Sequence, residues 1–201
     1  MTLSFGEVSP NRRFGGRLRS MQDYKTKTIC LFQGVLSAES LEKVKFSSND
    51  HAFVCEGRPS LEAGRKTSGI LLKNGIIPTV ISDNMAGFLF FKGLIKEVII
   101  ACQYADKKGA LCDMGALIVA VLAREHKIPL KLLVAEHRTR FLGDPQAILS
   151  FEGQRIAPRD TRGYVPLVEW VPAKYLNGFP LCFDFAQHGS KHGELVEPSR
   201  E

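Results

Sequence analysis

The sequence lacks the features that would mark a membrane or exported protein. No apolar run approaches the roughly 18 residues of a membrane span. The first residues, MTLSFGEVSPNRR, do not show the charged-then-apolar order of a signal peptide. The five cysteines form no CxxC pair. An odd number of cysteines without metal-ligand spacing predicts reduced thiols in a cytoplasmic protein.

The sequence also lacks the charge pattern of a nucleic-acid-binding protein. Its formal net charge is +6, but part of this excess lies in Arg12, Arg13, Arg17 and Arg19. No basic stripe with interleaved aromatic residues is present. We therefore expect no nucleic-acid partner, and the mild positive charge suits a small anionic ligand better.

Length and composition predict one globular domain with extensions. The chain has 201 residues, of which 44% are hydrophobic and 24% charged, as is usual for globular proteins. Residues 1–25 are rich in Arg, Gly and Ser and predict an irregular arm. Residues 26–180 predict the folded domain. Residues 181–201 are mostly polar toward their end and predict a frayed tail.

The centre of the chain alternates short apolar runs with longer segments of helical spacing. Such alternation is typical of βαβ units around a parallel sheet. We predict a three-layer, Rossmann-like α/β domain with a mostly parallel sheet. The predicted strands are residues 28–32, 52–55, 78–81, 98–102 and 130–135.

Helices are predicted between these strands, and the segment after the last strand is loop-rich. The predicted helices are residues 38–44, 59–73, 84–91 and 113–123, with one short helix near residues 172–176. Ser82 or Asp83 is expected to cap the third helix and Asp113 the fourth. The fourth helix is apolar on nearly every side, so we expect it to be buried all round.

Polar side chains follow three of the predicted strands. They are Glu56 and Arg58, Ser82 and Asp83, and Cys102 and Gln103. In an open parallel sheet, ligands bind outside the carboxyl ends of the strands. The sequence therefore predicts a site at this edge.

Several of these segments resemble one family in order. Residues 56–65, EGRPSLEAGR, resemble the E-T-R-P-x-L-Q-G-A-R motif of methylthioribose-1-phosphate isomerases. Residues 81–86, ISDNMA, are similar to their I-T-D-S-M-A, and residues 153–158, GQRIAP, resemble their N-G-x-x-I-A-P. The superfamily also contains ribose-1,5-bisphosphate isomerases and regulatory subunits of initiation factor two-B. The resemblance spans residues 28–179 and covers the family's C-terminal, Rossmann-like domain.

The resemblance implies an isomerase that converts an aldose 1-phosphate into a ketose 1-phosphate, with a cysteine and an aspartate moving protons. Cys30, in TICLFQG, partly matches the family's T-x-C-N-x-G; it is a catalytic candidate or a buried strand residue. The family's aspartate aligns with Gln103, which cannot transfer a proton at neutral pH. Asp106 is the candidate replacement, or a solvated turn residue. His137 follows the fifth strand and is a candidate acid or base.

Phosphate binding is implied for Arg58, Arg65, Asp83 and Gln103. The two arginines could equally form salt bridges, and Asp83 could be a helix cap. Two family residues that favour phosphate binding are replaced by acids. A glutamine becomes Glu62, and a lysine at a helix start becomes Asp113, where a negative charge opposes an anion.

Two hypotheses follow. The chain is an isomerase of a phosphorylated pentose that uses Cys30 and a displaced acid, or a non-catalytic binding or assembly module like the initiation-factor subunits. Neither requires a cofactor or a metal. His188 and His192 are expected to be tail residues, not metal ligands. We expect a homodimer, as the resemblance implies.

Overall fold

The computed structural model describes residues 29–42, 44, 51–135 and 138–176. The predicted arm and tail, and His137, His188 and His192, lie outside them. The strands are β1 (Ile29–Gln33), β2 (His51–Cys55), β3 (Pro78–Ile81), β4 (Glu97–Asp106), β5 (Gly109–Asp113), β6 (Leu130–Val134), β7 (Ser150–Phe151), β8 (Gln154–Arg155) and β9 (Val168–Pro172). The helices are α1 (Ala38–Glu42), α2 (Glu62–Lys73), α3 (Ala86–Phe91) and α4 (Ala116–Glu125).

One mostly parallel sheet forms the centre of the fold. Its strand order is β3-β2-β1-β4-β5-β9, and β6 also pairs with β4. The strands β1, β2, β3, β4 and β6 pair in parallel, whereas β5 and β9 pair antiparallel. All five residues of β1 are buried, as expected of a parallel strand covered on both faces. The predicted α/β fold class is confirmed.

Helices cover the two faces of the sheet. Ile29 and Leu31 of β1 belong to a core cluster that includes buried residues of α3 and α4. The alternate residues Cys30 and Phe32 belong to a second cluster, with Leu41 of α1 and Leu71 of α2. This alternation follows from the two-residue period of a strand. Packing of the helices on both faces of the sheet fixes the positions of the strand ends.

An antiparallel extension of the sheet was not expected from the sequence. The strand β4 continues to Asp106, where the chain turns and returns as β5, with Asp106 opposite Gly109. The strand β9 then pairs with β5 along its whole length. The turn at residues 107–109 was predicted, but residues 109–113 form a strand and not the approach to a helix. Residues 168–172 were placed in a loop.

The starts of two helices also differ from the prediction. The helix α2 begins at Glu62 and not at Pro59, because Leu61 adopts a left-handed conformation with φ 58°. The helix α4 begins at Ala116, three residues after Asp113. The backbone N–H of Leu117 donates to Oε1 of Glu169 at 3.0 Å, so a side chain of β9 supports this helix start in place of Asp113.

The apolar helix α4 is buried on one side only. Ala116, Val119, Ala120 and Ala123 face the core, but Ile118 is 65% exposed. Burial in the core accounts for one side of this helix only, because no layer of the described residues covers the outer side. No helix among the described residues has the length and hydropathy needed to cross a membrane.

Candidate functional site

The carboxyl ends of the parallel strands meet at one edge of the sheet, as predicted. A cleft of about 350 Å³ opens there between the start of α2 and the segment after β6. Its charged and hydroxyl side chains include Ser60, Glu62, Lys66, Arg138, Arg140 and Asp144. Cations and anions therefore share the lining of this cleft.

Arg138 lies at the centre of the charged groups in the cleft wall. Its Nε donates to Oδ1 of Asp113 at 2.7 Å, and its Nη1 donates to Oε2 of Glu62 at 2.6 Å. Its side chain is only 18% exposed. The guanidinium thus joins the segment after β6 to the end of β5 and to the first turn of α2.

The Asp113 carboxylate is an internal partner and not a helix cap. Its side chain is 7% exposed, and its Oδ2 accepts a hydrogen bond from the backbone N–H of Val35 at 2.7 Å. Gly34, with φ +90°, passes so close that a Cβ on it would lie 2.9 Å from the same oxygen. Asp113 therefore ties the turn after β1 to Arg138.

Mutual contacts shift the pKa values of two members of this network. Burial alone would raise the pKa of Glu62, but the hydrogen bond and charge of Arg138, with the charge of Lys66, lower it overall. Burial alone would lower the pKa of Arg138, but its contacts with Asp113 and Glu62 raise it. Arg138 thus favours the charged form of Glu62, and Asp113 and Glu62 favour the charged form of Arg138.

Gln103 lies beside this network, at the position where the resemblance implies an aspartate. Its Nε2 is 3.5 Å from Oδ1 of Asp113, and its Oε1 accepts from the backbone N–H of Arg138 at 3.4 Å. The amide thus contacts both members of the buried ion pair. Its observed partners are groups of the protein itself.

Asp83 also reaches the predicted edge, but it holds a loop and does not cap its own helix. Its two carboxylate oxygens accept hydrogen bonds from the backbone N–H groups of Gly57 and Arg58, at 2.9 and 2.8 Å. Neither Asp83 nor Ser82 makes a side-chain cap bond to the following turn. Asp83 therefore fixes the chain after β2, where the cleft begins.

The two predicted phosphate-binding arginines have partners elsewhere. The guanidinium of Arg58 lies 4.5 Å from the ring centroid of Phe151. Nη2 of Arg65 donates to the backbone oxygen of Ser60 at 2.8 Å. Neither side chain is part of the cleft lining. The cations that do line the cleft are Lys66, Arg138 and Arg140.

The structure does not bring the predicted proton-transfer residues together. Cys30 lies near the amino end of β1, opposite Glu97 at the start of β4, and is 2% exposed. Asp106 accepts from the backbone N–H groups of Lys108 and Gly109 at 2.7 and 3.1 Å, so it closes the turn beyond the edge. His137 is outside the described residues.

The thiols of Cys55 and Cys112, near the edge, are held in their protonated form. Burial, together with the charges of Asp83 and Glu56, raises the pKa of Cys55 to about 12. Cys102 and Cys112 are opposite each other in β4 and β5, and their hydrogen bond and burial raise the pKa of Cys112. A thiol is a proton carrier or nucleophile through its thiolate. Cys55 and Cys112 therefore have the character of core residues, and Cys102 is also fully buried.

Arg138 is the residue that the sequence analysis missed. Its signal was available in the sequence, because residues 138–140 place two arginines directly after the predicted fifth strand. The resemblance implies neutral or basic residues at the positions of Glu62 and Asp113, and two acids there needed a cation between them. Within the described part of the chain, no group of three or more His, Cys, Asp or Glu side chains is arranged to hold a metal ion.

A mostly parallel α/β sheet with a cleft at its carboxyl edge has the architecture in which ligands bind outside the strand ends. The profile of the initiation factor 2 subunit family matches residues 28–179. The chain belongs to this family.

Curated relatives carry the name of an enzyme. The methylthioribose-1-phosphate isomerase of Thermus thermophilus is 31% identical over 140 residues, which are 64% of this chain and 42% of that protein. The enzyme of the same name from Geotalea daltonii is 34% identical over 143 residues, 65% of this chain and 41% of that protein. The chain thus spans less than half the length of these relatives.

Solved structures show the same fold. Subunit delta of the translation initiation factor eIF-2B from A. fulgidus superposes with a TM-score of 0.61 at 20% identity, over 74% of this chain and 49% of that one. The 5-methylthioribose 1-phosphate isomerase of Pyrococcus horikoshii superposes with a TM-score of 0.58 at 22% identity, over 76% of this chain and 50% of that one. One fold therefore accommodates proteins with both names, so the site has to distinguish between the two functions.

Proposed function

We propose that this chain is a non-catalytic binding domain of its family, which holds a small phosphorylated ligand, such as a phosphorylated pentose, in the carboxyl-edge cleft. The observation that carries this proposal is the ion-pair network of Asp113, Arg138 and Glu62. Its acids take part in structural contacts, so they are not available as proton carriers. Lys66 and Arg140 supply positive charge at the cleft rim.

The described residues include no assembled pair of the predicted acid–base candidates, and this supports binding over catalysis. Isomerisation of a sugar phosphate requires titratable groups close to the reacting carbons. Cys30 is near the other end of its strand, and Asp106 is engaged in a turn. Removing one member of a cooperating catalytic set typically costs several orders of magnitude in rate, and here two candidates are displaced.

Aldose–ketose isomerisation is the second candidate function. The enzyme name shared by relatives 31% to 34% identical to the chain favours it. It would require proton carriers other than Cys30 and Asp106 at the cleft. His137 remains a candidate for that role by its position in the sequence.

One experiment separates the two functions. The protein is incubated with methylthioribose 1-phosphate and with ribose 1,5-bisphosphate, ketose formation is followed, and binding is measured by calorimetry. We expect binding without turnover, and weaker binding for Arg140→Ala. Arg159→Ala is the matched control, because Arg159 is also exposed but does not line the cleft. A rate of ketose formation that rises with the concentration of this protein would refute the non-catalytic assignment.

We also propose that the chain is a cytoplasmic homodimer. The helices α3 and α4 contact each other, and both leave large apolar side chains exposed, with Phe88 at 51% and Ile118 at 65%. Exposed apolar surface of this kind marks interaction sites. Sedimentation should show a dimer, and Ile118→Glu should dissociate it into monomers. Ile156→Glu, just after the β7–β8 hairpin, should leave the dimer intact. A concentration-independent monomer mass would refute the dimer.

A further inference from the structure

The Glu62 carboxylate occupies the place between two cations of the cleft. Its Oε2 is 2.6 Å from Nη1 of Arg138, and its Oε1 is 3.6 Å from Nζ of Lys66. Two cations that converge on one point form the arrangement that binds a phosphate or carboxylate. In this protein, the anion at that point is a side chain of the protein itself.

Asp113 leaves an incoming anion little other access to Arg138. Nε and Nη2 of the guanidinium point to the two oxygens of Asp113, at 2.7 and 3.5 Å. Nη1 is the nitrogen that faces Glu62. Asp113 also accepts a hydrogen bond from Val35. Only 5% of the whole residue is exposed, so its displacement would open the core. Glu62 is the more exposed of the two acids, with 29% of its side chain accessible.

We propose that Glu62 is an internal competitor for anions and determines which ligands the cleft accepts. An anion binds to Arg138 and Lys66 only after the Glu62 side chain has turned away from them. A phosphate monoester carries up to two negative charges and three acceptor oxygens, so it can replace a carboxylate that carries one charge and two oxygens. A ligand with a single carboxylate gains no such advantage.

This inference rests on the proposed function in one respect: the ligand is taken to be a phosphate ester. It adds a selection rule to that function, because the cleft should reject simple carboxylic acids and accept phosphorylated compounds. Glu62 lies in the first turn of α2, on the surface, so its rotation does not require the helix to move. Loss of its contact with Arg138 is the main opposing cost.

The test compares wild type with Glu62→Gln, using inorganic phosphate and acetate as probes in calorimetry at low ionic strength. The amide keeps the size of the side chain but removes its charge. We expect Glu62→Gln to bind phosphate at least about tenfold more tightly, a gain typical of one hydrogen bond to a charged group. Acetate should bind measurably more tightly to the variant than to wild type.

Glu125→Gln is the matched control, because Glu125 lies at the end of α4 and is exposed but outside the cleft. It should bind both probes as wild type does. Equal or weaker phosphate binding by Glu62→Gln would overturn the proposal, and so would equal binding of acetate. Thermal unfolding of each variant confirms that the compared proteins are folded.

A crystal structure of wild type soaked in phosphate provides an independent measurement. Phosphate within hydrogen-bond distance of Arg138 and Lys66, with Glu62 turned away, supports the inference. Phosphate in the cleft with the Glu62–Arg138 pair intact, or on other side chains only, overturns it. If wild type binds no sugar phosphate but Glu62→Gln gains affinity for phosphate, the proposed function fails and this inference stands. If sugar phosphates bind equally to wild type and to Glu62→Gln, the proposed function stands and this inference fails.

Discussion

Nε of Arg138 donates a hydrogen bond of 2.7 Å to Oδ1 of Asp113, and neither side chain is more than 18% exposed. This pair explains how the chain tolerates a carboxylate at the carboxyl edge of a parallel sheet. A buried acid without a partner is costly, whereas one that is paired and fully hydrogen-bonded is tolerated. Val35 supplies the additional bond that Asp113 requires. Contacts within the protein therefore accommodate the buried carboxylate of Asp113.

The first prediction concerns this pair. Asp113→Ala should lower the free energy of unfolding by about 3 kcal/mol, because it leaves Arg138 partly buried without its main partner. It also leaves the N–H of Val35 without its acceptor. Chemical denaturation with a two-state fit gives the measurement.

A double-mutant cycle provides the control for this prediction. Asp113→Ala and Arg138→Ala together should destabilise by less than the sum of the two single changes, because the second change removes the uncompensated charge. Strict additivity would show that the two side chains do not stabilise each other. The cycle separates the pair from the bond to Val35.

The second prediction is a pH dependence. The folded-state pKa of Glu62 is lowered below its ordinary value of 4.5, so folding favours its charged form. The stabilisation is present above that pH and is lost as the pH falls through the folded-state pKa. Wild type should exceed Glu62→Gln in stability near neutral pH, by no more than about 1 kcal/mol because the pair is partly exposed.

Denaturation of both proteins at about pH 7 and about pH 3 measures this difference. The advantage of wild type should shrink at the lower pH, since protonation of Glu62 removes the charge that distinguishes it from glutamine. A difference that is constant or grows toward low pH would contradict the assigned role of the Glu62 charge.

The third prediction concerns the loop that begins the cleft. Asp83→Ala should destabilise the protein by about 2 kcal/mol, because the N–H groups of Gly57 and Arg58 lose their acceptor. Asp83→Asn should cost less, since its amide oxygen can still accept one of the two bonds. Asn84→Ala is the control, because Asn84 is the exposed neighbour, and its stability should match wild type within about 0.5 kcal/mol. Equal effects of Asp83→Ala and Asn84→Ala in urea denaturation would contradict this role.

The parallel part of the fold could be predicted from the sequence because its signals are local. The strands at 98–102 and near 130 stand between helical segments and turn residues, and the apolar run 98–102 reflects burial on both faces. The strand β9 has no such signal. Its place is fixed by pairing with β5, more than fifty residues away in the chain, and such pairing is not encoded in local composition.

The candidate site shows the same division. Asp83 follows the end of β3, as the apolar run 78–81 predicted, whereas Gln103 lies inside β4, which continues to Asp106. The partners of these side chains could not be predicted in this way. Arg138 contacts Asp113 at a separation of 25 residues and Glu62 at 76. Cys30 is a buried residue of β1, which is one of the two alternatives for it, and a partial motif match does not specify which end of the strand carries the thiol.

The fourth prediction concerns the turn that presents Val35 to Asp113. Gly34 has φ +90°, and a Cβ on it would lie 2.8 Å from Cβ of Ala101 and 2.9 Å from Oδ2 of Asp113. Gly34→Ala should therefore destabilise the protein by about 3 kcal/mol through backbone strain and overpacking. Gly69→Ala is the matched control, because Gly69 lies within α2 and has open space around its Cβ position. That change should leave stability unchanged or raise it by up to about 1 kcal/mol. Thermal and urea unfolding of the two variants test this contrast, and a stable Gly34→Ala would show that the turn and Asp113 are not packed as tightly as described.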